Sequence, residues 1–258
     1  MARTALDPTI TARARTVVLA LGIGLGGLAF GYALTLTAAL AFQFAGVSLT
    51  PSSSIVLSVV LLQGVAFGSV AFAYARYRDA AERFITFHVP SLRELALAFG
   101  GWVGALAALI VIGIVLQSTG APTASNQIAN YGLEHPEVLL LLIPLSFLLV
   151  GPGEELLFRG VVQGTLRERF GAVPAVLIAS LIFASVHFTS LSGALAGRVV
   201  TIAALFVISL FLGALYEYTE NLTVPALVHG AYNATQFLVL YVSIEYSDQL
   251  QNAAAFLG

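Results

Sequence analysis

The sequence contains no cysteine and no lysine, and only 9% of its residues are charged. Without cysteine, disulfide bonds, thiolate catalysis and cysteine-ligated zinc or iron–sulfur sites are excluded. A soluble domain carries about a quarter charged residues, so this chain lacks the polar residues that would coat a water-exposed surface. The composition therefore excludes an ordinary soluble globular protein.

The sequence instead contains long runs without any charged residue. They cover residues 16–75, 95–133, 170–197, 199–216 and 221–244. A membrane-spanning helix needs about 20 mostly apolar residues, so several of these runs cross a bilayer once or twice. The sequence predicts an all-α fold, a polytopic transmembrane helix bundle surrounded by membrane lipid.

We predict about seven spans within one membrane domain. The first three cover about 16–42, 55–74 and 95–116, and the next four start near residues 138, 172, 199 and 222. An eighth, from Gln236 onward, is expected only as a short C-terminal helix because Glu245 and Asp248 interrupt it. Residues 1–137 then hold three helices and a polar loop, 138–240 form a C-terminal core, and 241–258 form a short tail.

The arginines predict the orientation in the membrane. With the N-terminus inside, ten of the eleven arginines fall in the N-terminal tail, the second-to-third connection and the fourth-to-fifth turn, and only Arg198 lies outside. Cytosolic loops carry such an excess of positive charge. We therefore expect an integral plasma-membrane protein whose N-terminus is cytoplasmic.

Ionisable side chains within the predicted spans are concentrated after residue 150. Such groups are costly at membrane depth, so each is a functional candidate, although polar contacts that merely join helices are the alternative explanation. The set combines carboxylates, imidazoles and an amide: Glu154, Glu155, Arg159, His187, His229 and Asn233. This combination favours chemistry over helix packing alone.

Helical spacing separates the roles of the two adjacent glutamates. Glu154 and Glu155 point about 100° apart, whereas Glu155 and Arg159 stand at i, i+4 in the order that favours an ion pair. Glu154 is thereby left free for chemistry. His229 and Asn233, also four residues apart, share one helix face.

The positions of these residues along the chain predict that they meet. Glu154 lies 17 residues before Gly171 and His187 lies 16 residues after it. Each is then roughly 25 Å from the fourth-to-fifth turn, so an antiparallel hairpin brings them side by side. His229 joins them if this hairpin extends about 10 Å further into the cytosol than the next one. We expect a cavity that opens to the cytosol.

Three motifs follow one another on these helices. Residues 154–159 read EExxxR, residues 183–187 read FxxxH from Phe183 to His187, and residues 229–233 read HxxxN. In this order they resemble the CPBP family, which comprises CAAX prenyl proteases of the Ras-converting type and bacteriocin-processing or immunity proteins. The resemblance covers roughly residues 138–240 and makes this segment a CPBP-like catalytic core.

The resemblance implies an intramembrane endopeptidase, a glutamate-type hydrolase. Glu154 and His187 would activate a water that attacks the scissile carbonyl, while His229 and Asn233 would stabilise the oxyanion. Glu155, Arg159 and Phe183 would support the site. The substrate would be a membrane-associated peptide or a protein prenylated near its C-terminus, and neither a nucleic acid nor a cofactor is expected.

Three alternatives stay open at this point. A zinc-dependent variant would use Glu154, His187 and His229 as a two-histidine, one-carboxylate site, although no HExxH motif is present. A non-catalytic scaffold or immunity-type protein would keep the helices without the reaction. A proton-coupled transporter would also bury Glu and His, but it predicts an inverted repeat that the first half does not show.

Overall fold

The computed structural model describes residues 8–247, and most of them are helical. The seven long helices are α1 (Pro8–Phe44), α2 (Pro51–Tyr77), α3 (Leu92–Thr119), α4 (Pro136–Leu166), α5 (Ala172–Val186), α6 (Leu195–Thr219) and α7 (Thr223–Glu245). Six of them begin within four residues of the predicted positions, and α1 begins eight residues earlier than predicted. The predicted all-α polytopic bundle is confirmed.

Among residues 8–247, six helices are long and apolar enough to cross a membrane: α1 to α4, α5 with the residues that follow it (Ala172–Ser190), and α6. The 23 residues of α7 include His229, Asn233, Thr235 and Gln236, which lower its hydropathy, so its crossing stays a prediction. No separate helix starts at Gln236 in the described part, because α7 continues through it to Glu245. Residues 248–258, where the predicted short helix would continue, lie outside the described residues.

Short elements connect the long helices. Helical turns occupy Ala81–Phe84 and Gln127–Glu134, and a 3₁₀ turn at His187–Ser190 follows α5. Ser125–Asn126 pairs in antiparallel fashion with Leu191–Ser192. This two-residue ladder joins the α3–α4 connection to the α5–α6 connection directly beyond His187.

Two of the long helices contain π-helical turns. In α2 the π segment is Val60–Phe67, and in α4 the segments Ser146–Val150 and Leu156–Gln163 flank Gly151–Glu155. Pro144 has no backbone N–H, which interrupts the regular hydrogen-bond ladder of α4 just before the first of these turns. Such wide turns recur at functional sites, and here they lie on both sides of Glu154.

Glycines in α4 allow the neighbouring helices to approach its backbone. A Cβ at Gly153 would collide with the backbone oxygen of Gln63 in α2, and one at Gly151 would lie 2.6 Å from the Ala226 oxygen in α7. Only glycine permits these contacts. As a result, α2 and α7 both press against the residues that directly precede Glu154.

Most of the arginines gather at one end of the bundle. Arg78 and Arg83 contact the carboxylate of Glu168 at 2.9 and 3.3 Å, and Arg167 contacts Glu217 at 2.7 Å. These pairs link the end of α2, the α4–α5 turn and the end of α6. The arginine-rich end that the predicted orientation needs is therefore a contiguous surface.

Arg159 is an exception to the predicted arginine distribution. The count of ten cytosolic arginines assigns it to the fourth-to-fifth turn, yet it is fully buried within α4 and paired with Glu155. It therefore says nothing about the membrane side. Arg198 lies at the other end, where its Nε donates to the Gly193 carbonyl, and Arg3 lies outside the described residues.

Candidate active site

Glu154 stands at the centre of the polar cluster. The residue is only 7% exposed. Its Oε2 lies 3.8 Å from Nε2 of His187 and 3.8 Å from Nε2 of His229. Within residues 8–247, no group donates a hydrogen bond to this buried oxygen. Two imidazoles thus converge on one carboxylate oxygen that has no donor of its own.

His187 approaches from the C-terminal end of α5. Its Nδ1 lies 2.8 Å from the Phe183 carbonyl oxygen, one helical turn earlier. Because a carbonyl only accepts hydrogen bonds, Nδ1 carries the proton of the ring. In the neutral imidazole, Nε2 is then an acceptor directed at the same space as Glu154 Oε2.

His229 bridges the two adjacent glutamates. Its Nδ1 lies 2.8 Å from Glu155 Oε1, while its Nε2 faces Glu154 Oε2. The carboxylate of Glu155 only accepts, so Nδ1 donates to it and the ring orientation is fixed. Spacing along α4 separates the two glutamates, but α7 connects them through this imidazole.

Glu155 and Arg159 form a fully buried ion pair. Arg159 Nε donates to Glu155 Oε2 at 3.0 Å, and the other guanidinium nitrogens donate to Ser209 Oγ at 2.8 Å and Ser180 Oγ at 3.4 Å. Buried charges persist only when they are paired and hydrogen-bonded in this way. The pair therefore anchors His229, and through it one side of the cluster.

Phe183 fills the space beneath the polar groups. Its ring centroid lies 4.6 Å from that of His187 and 5.8 Å from that of His229. The Arg159 guanidinium stands 5.1 Å above the same ring. One aromatic side chain thus contacts three of the motif residues, and its supporting role stays a prediction.

A polar seam continues from this cluster towards the arginine-rich end and was not predicted. Gln163, four residues after Arg159, donates to the Gly213 carbonyl and to Glu217, each at 3.2 Å. Glu217 in turn contacts Arg167. The i, i+4 repeat of polar residues from Glu155 through Gln163 to Arg167 is present in the sequence and would have indicated this seam.

Gln63 is the second residue that the motifs do not reveal. It lies in the π segment of α2, and its Nε2 is 3.5 Å from Glu154 Oε1. The signal in the sequence is an amide inside an otherwise apolar predicted span. The three motifs all lie in the C-terminal half, yet one of the N-terminal helices reaches the cluster.

Asn233 is not hydrogen-bonded to the other predicted site residues. It follows His229 by one turn of α7 and is half-buried. Its side chain makes no hydrogen bond to any residue of the described range. Its assignment to oxyanion stabilisation stays a prediction that rests on the family resemblance.

The zinc alternative can be compared with this geometry. Ligands of a tetrahedral zinc at about 2.0–2.1 Å lie roughly 3.3 Å apart, whereas Glu154 Oε2 is 3.8 Å from each histidine nitrogen. Across residues 8–247, no three His, Asp or Glu side chains are arranged to hold a metal ion. The observed separations are longer than those of a tetrahedral zinc site, and independence of a metal ion stays a prediction.

The cluster lies far from the arginine-rich end. His187 follows the 15 residues of α5, which are about 22 Å long. Phe188, the next residue, has the guanidinium of Arg198 5.2 Å from its ring. The length of α5 agrees with the roughly 25 Å that the sequence predicts between His187 and the fourth-to-fifth turn.

The fold and the cluster define a class of protein: a polytopic helical membrane protein that buries a glutamate between two histidines. Residues 136–235 match the family model described as type II CAAX prenyl endopeptidase Rce1-like. The resemblance inferred from the three motifs is confirmed for this segment. All of the motif residues lie inside it, and α1 to α3 lie outside it.

The chain is also similar to the uncharacterized protein YpbD of Bacillus subtilis (strain 168). The two are 38% identical over 94 residues, which cover 36% of this chain and 40% of that protein. The chain therefore spans less than half the length of this curated relative. No solved structure is significantly similar to the chain.

Proposed function

We propose that this protein is a glutamate-type intramembrane endopeptidase. The observation that carries the proposal is the convergence of His187 and His229, each at 3.8 Å, on a Glu154 oxygen without a donor among the described residues. The match of residues 136–235 to a family of prenyl endopeptidases supports a protease. The match does not extend to the substrate or to the roles of single residues.

In the proposed reaction, a water beside the cluster donates its protons to two acceptors. These are Glu154 Oε2 and the unprotonated Nε2 of His187, which face the same space. As the water oxygen forms its bond to the scissile carbonyl carbon, Glu154 takes the proton. The proton then passes to the leaving amine as the C–N bond breaks, which yields a carboxylic acid and an amine and regenerates Glu154.

His229 and Asn233 would stabilise the charge that develops on the carbonyl oxygen. His229 is held rigid by Glu155, which suits a group that must be in place before the reaction begins. When Nε2 is protonated, it donates to the oxyanion. Asn233 lies one turn further along the same helix and would supply the second donor.

The substrate class follows from the surroundings of the site. Because α1 to α6 are long and apolar enough to span a membrane, a peptide that is itself bound to the membrane would reach the cluster most readily. The name of the matched family points to substrates that are prenylated near the C-terminus. We further propose a plasma-membrane location with a cytoplasmic N-terminus, on the basis of the contiguous arginine-rich end.

The non-catalytic alternative keeps the fold and omits the reaction. A scaffold or immunity-type protein does not require a carboxylate oxygen buried without a donor, since that arrangement costs stability. A helix-joining network would pair this oxygen with a donor. The unpaired Glu154 oxygen therefore favours catalysis.

The test is cleavage by the purified protein in detergent. A farnesylated peptide with a four-residue tail and its unprenylated twin are incubated with wild type and with Glu154→Gln, and products are identified by mass spectrometry. We expect wild type to release a defined C-terminal fragment and the variant to release almost none. Equal release by both proteins, or no release from either peptide by the wild type, would overturn the proposal.

A further inference from the structure

Gln63 has two features that a helix-packing residue does not need. Its Nε2 faces Glu154 Oε1 at 3.5 Å, and its Oε1 is buried without a hydrogen-bond donor in the described part of the chain. The orientation of the amide follows from its partner, because a carboxylate accepts and only the NH₂ group donates. The amide therefore presents a free acceptor beside the catalytic carboxylate.

The position of Gln63 is determined by the backbone. Gly153 packs against the backbone oxygen of Gln63, so the residue directly before Glu154 touches the π-helical turn of α2. The side chain thus starts from a fixed point next to the site. Although 3.5 Å is long for a hydrogen bond, such bonds at catalytic groups shorten when the substrate complex forms.

The free acceptor needs a donor that the water does not provide. In the proposed reaction, both protons of the water already have acceptors in Glu154 and His187. A peptide that enters this site loses the water bound to its backbone N–H groups, and each buried N–H must find an acceptor. The unpaired Gln63 oxygen can accept the hydrogen bond that the desolvated backbone N–H of the peptide has to donate.

We propose that Gln63 is a substrate-binding and positioning residue of the proposed endopeptidase. Its Oε1 accepts a hydrogen bond from a backbone N–H next to the scissile bond, while its Nε2 holds Glu154 so that Oε2 faces the imidazoles. The inference rests on the proposed function and extends it. In this proposal, α2 recognises the backbone of the substrate peptide, whatever the side chains of that peptide. This helix lies outside the segment that matches the family.

The test combines variants of Gln63 with backbone-methylated substrates. Gln63→Leu keeps approximate volume and suits an apolar helix, so a purely structural Gln63 predicts unchanged or higher stability and normal turnover. We expect kcat/KM to fall about 10- to 100-fold with an unchanged melting temperature, because a hydrogen bond to a charged group and one to the substrate are both lost. Gln43→Leu, the same change in the exposed last turn of α1, should behave as wild type.

The substrate side makes the test specific. A series of peptides, each N-methylated at one backbone nitrogen near the cleavage site, is measured with wild type and with Gln63→Leu. One methylation should cost the wild type about tenfold and cost the variant almost nothing further, because the variant has already lost that hydrogen bond. Gln63→Asn, which keeps the amide on a shorter side chain, should restore part of the activity.

Each outcome has a distinct meaning. The role of Gln63 would be refuted if every methylation cost both proteins equally, or if Gln63→Leu had a normal kcat/KM. The proposed protease activity would still stand in that case if wild type cleaves the peptide and Glu154→Gln does not. Should Gln63→Leu fold poorly, Gln63→Asn carries the methylation series, and the critical methylation should cost this variant less than it costs wild type. Absence of cleavage by wild type refutes both proposals together.

Discussion

At the scale of single residues, the two adjacent glutamates occupy different environments. Glu154 Oε2 has no donor in the described part of the chain, whereas both oxygens of Glu155 are occupied, one by Arg159 and one by His229. The proposed base is thus left without a hydrogen-bond donor, and both oxygens of the proposed supporting residue have one. The same substitution at the two positions should therefore affect stability differently, although both should lower activity.

Glu154→Gln should fold normally and turn over very slowly. The amide keeps the shape of the side chain but cannot take a proton from water, and loss of general-base catalysis typically lowers the rate by ~10²–10⁴. The measurement is kcat together with the melting temperature in one detergent. Near-normal turnover by this variant would assign the base to another residue.

Glu155→Gln should lower the melting temperature and also reduce kcat. An unpaired buried arginine costs about 3–5 kcal/mol, and His229 loses the carboxylate that orients it. Adding Arg159→Gln removes the unpaired charge, so the double variant should regain stability without regaining activity. Recovery of both properties in the double variant would mean that the contact between Glu155 and His229 is unimportant.

Cleavage should not depend on a metal ion. The separations of 3.8 Å between Glu154 and the two histidines exceed those of a tetrahedral zinc site. Activity is measured after prolonged dialysis against a strong chelator, with the metal content determined by mass spectrometry. Activity that disappears with the metal and returns with zinc alone would establish the zinc-dependent variant.

At the scale of helices, the close approach of α2 to α4 decides where Glu154 points. Gly153→Ala places a methyl group against the backbone of Gln63, which cannot move aside as a side chain could. Overpacking of this kind typically costs about 1–3 kcal/mol. We expect a lower melting temperature and a lower kcat, because the displaced α2 also carries Gln63.

The matched control for this prediction is Gly100→Ala on the exposed side of α3. A Cβ there meets no atom within 4 Å, and alanine favours helix over glycine by about 1 kcal/mol. Stability should stay the same or rise. If Gly153→Ala behaved like Gly100→Ala, the contact between α2 and α4 would not be as tight as described.

At the scale of the whole molecule, the arginine-rich end predicts which side of the membrane each turn occupies. Gly171 lies in the α4–α5 turn at that end, and Ala194 precedes α6 at the other end, and both are exposed. Because the chain has no cysteine, a single introduced cysteine reports its own location. Gly171→Cys should react only with reagents that reach the cytosol, and Ala194→Cys with impermeant reagents added outside.

The opposite labelling pattern would reverse the orientation. It would also change where the cluster opens, because His187 lies about 22 Å along α5 from the arginine-rich end. With the predicted orientation, a peptide or water from the cytosol has to travel most of that distance. The polar seam from Glu155 to Arg167 runs between the cluster and that end, and Arg159 and Gln163 within it are fully buried.

The sequence by itself determined the class of the protein, the approximate limits of its seven helices and the identity of most cluster residues. Hydropathy over about 20 residues is a local property, and ion pairs at i, i+4 depend on one helix only. For the same reason, the pairing of Glu155 with Arg159 follows from their spacing alone. The family motifs added Glu154, His187 and His229 as a group.

Only the tertiary structure decided how the helices meet. The bridge of His229 between the two glutamates, the approach of Gln63 and the burial of Arg159 depend on side chains that are between 21 and 91 residues apart. Their distances depend on the π-helical turns of α2 and α4 and on the glycine contacts between helices, which no local sequence pattern predicts. Asn233 shows that a motif does not by itself predict a contact. The HxxxN motif places it one helical turn from His229, yet its side chain has no hydrogen-bond partner among the described residues.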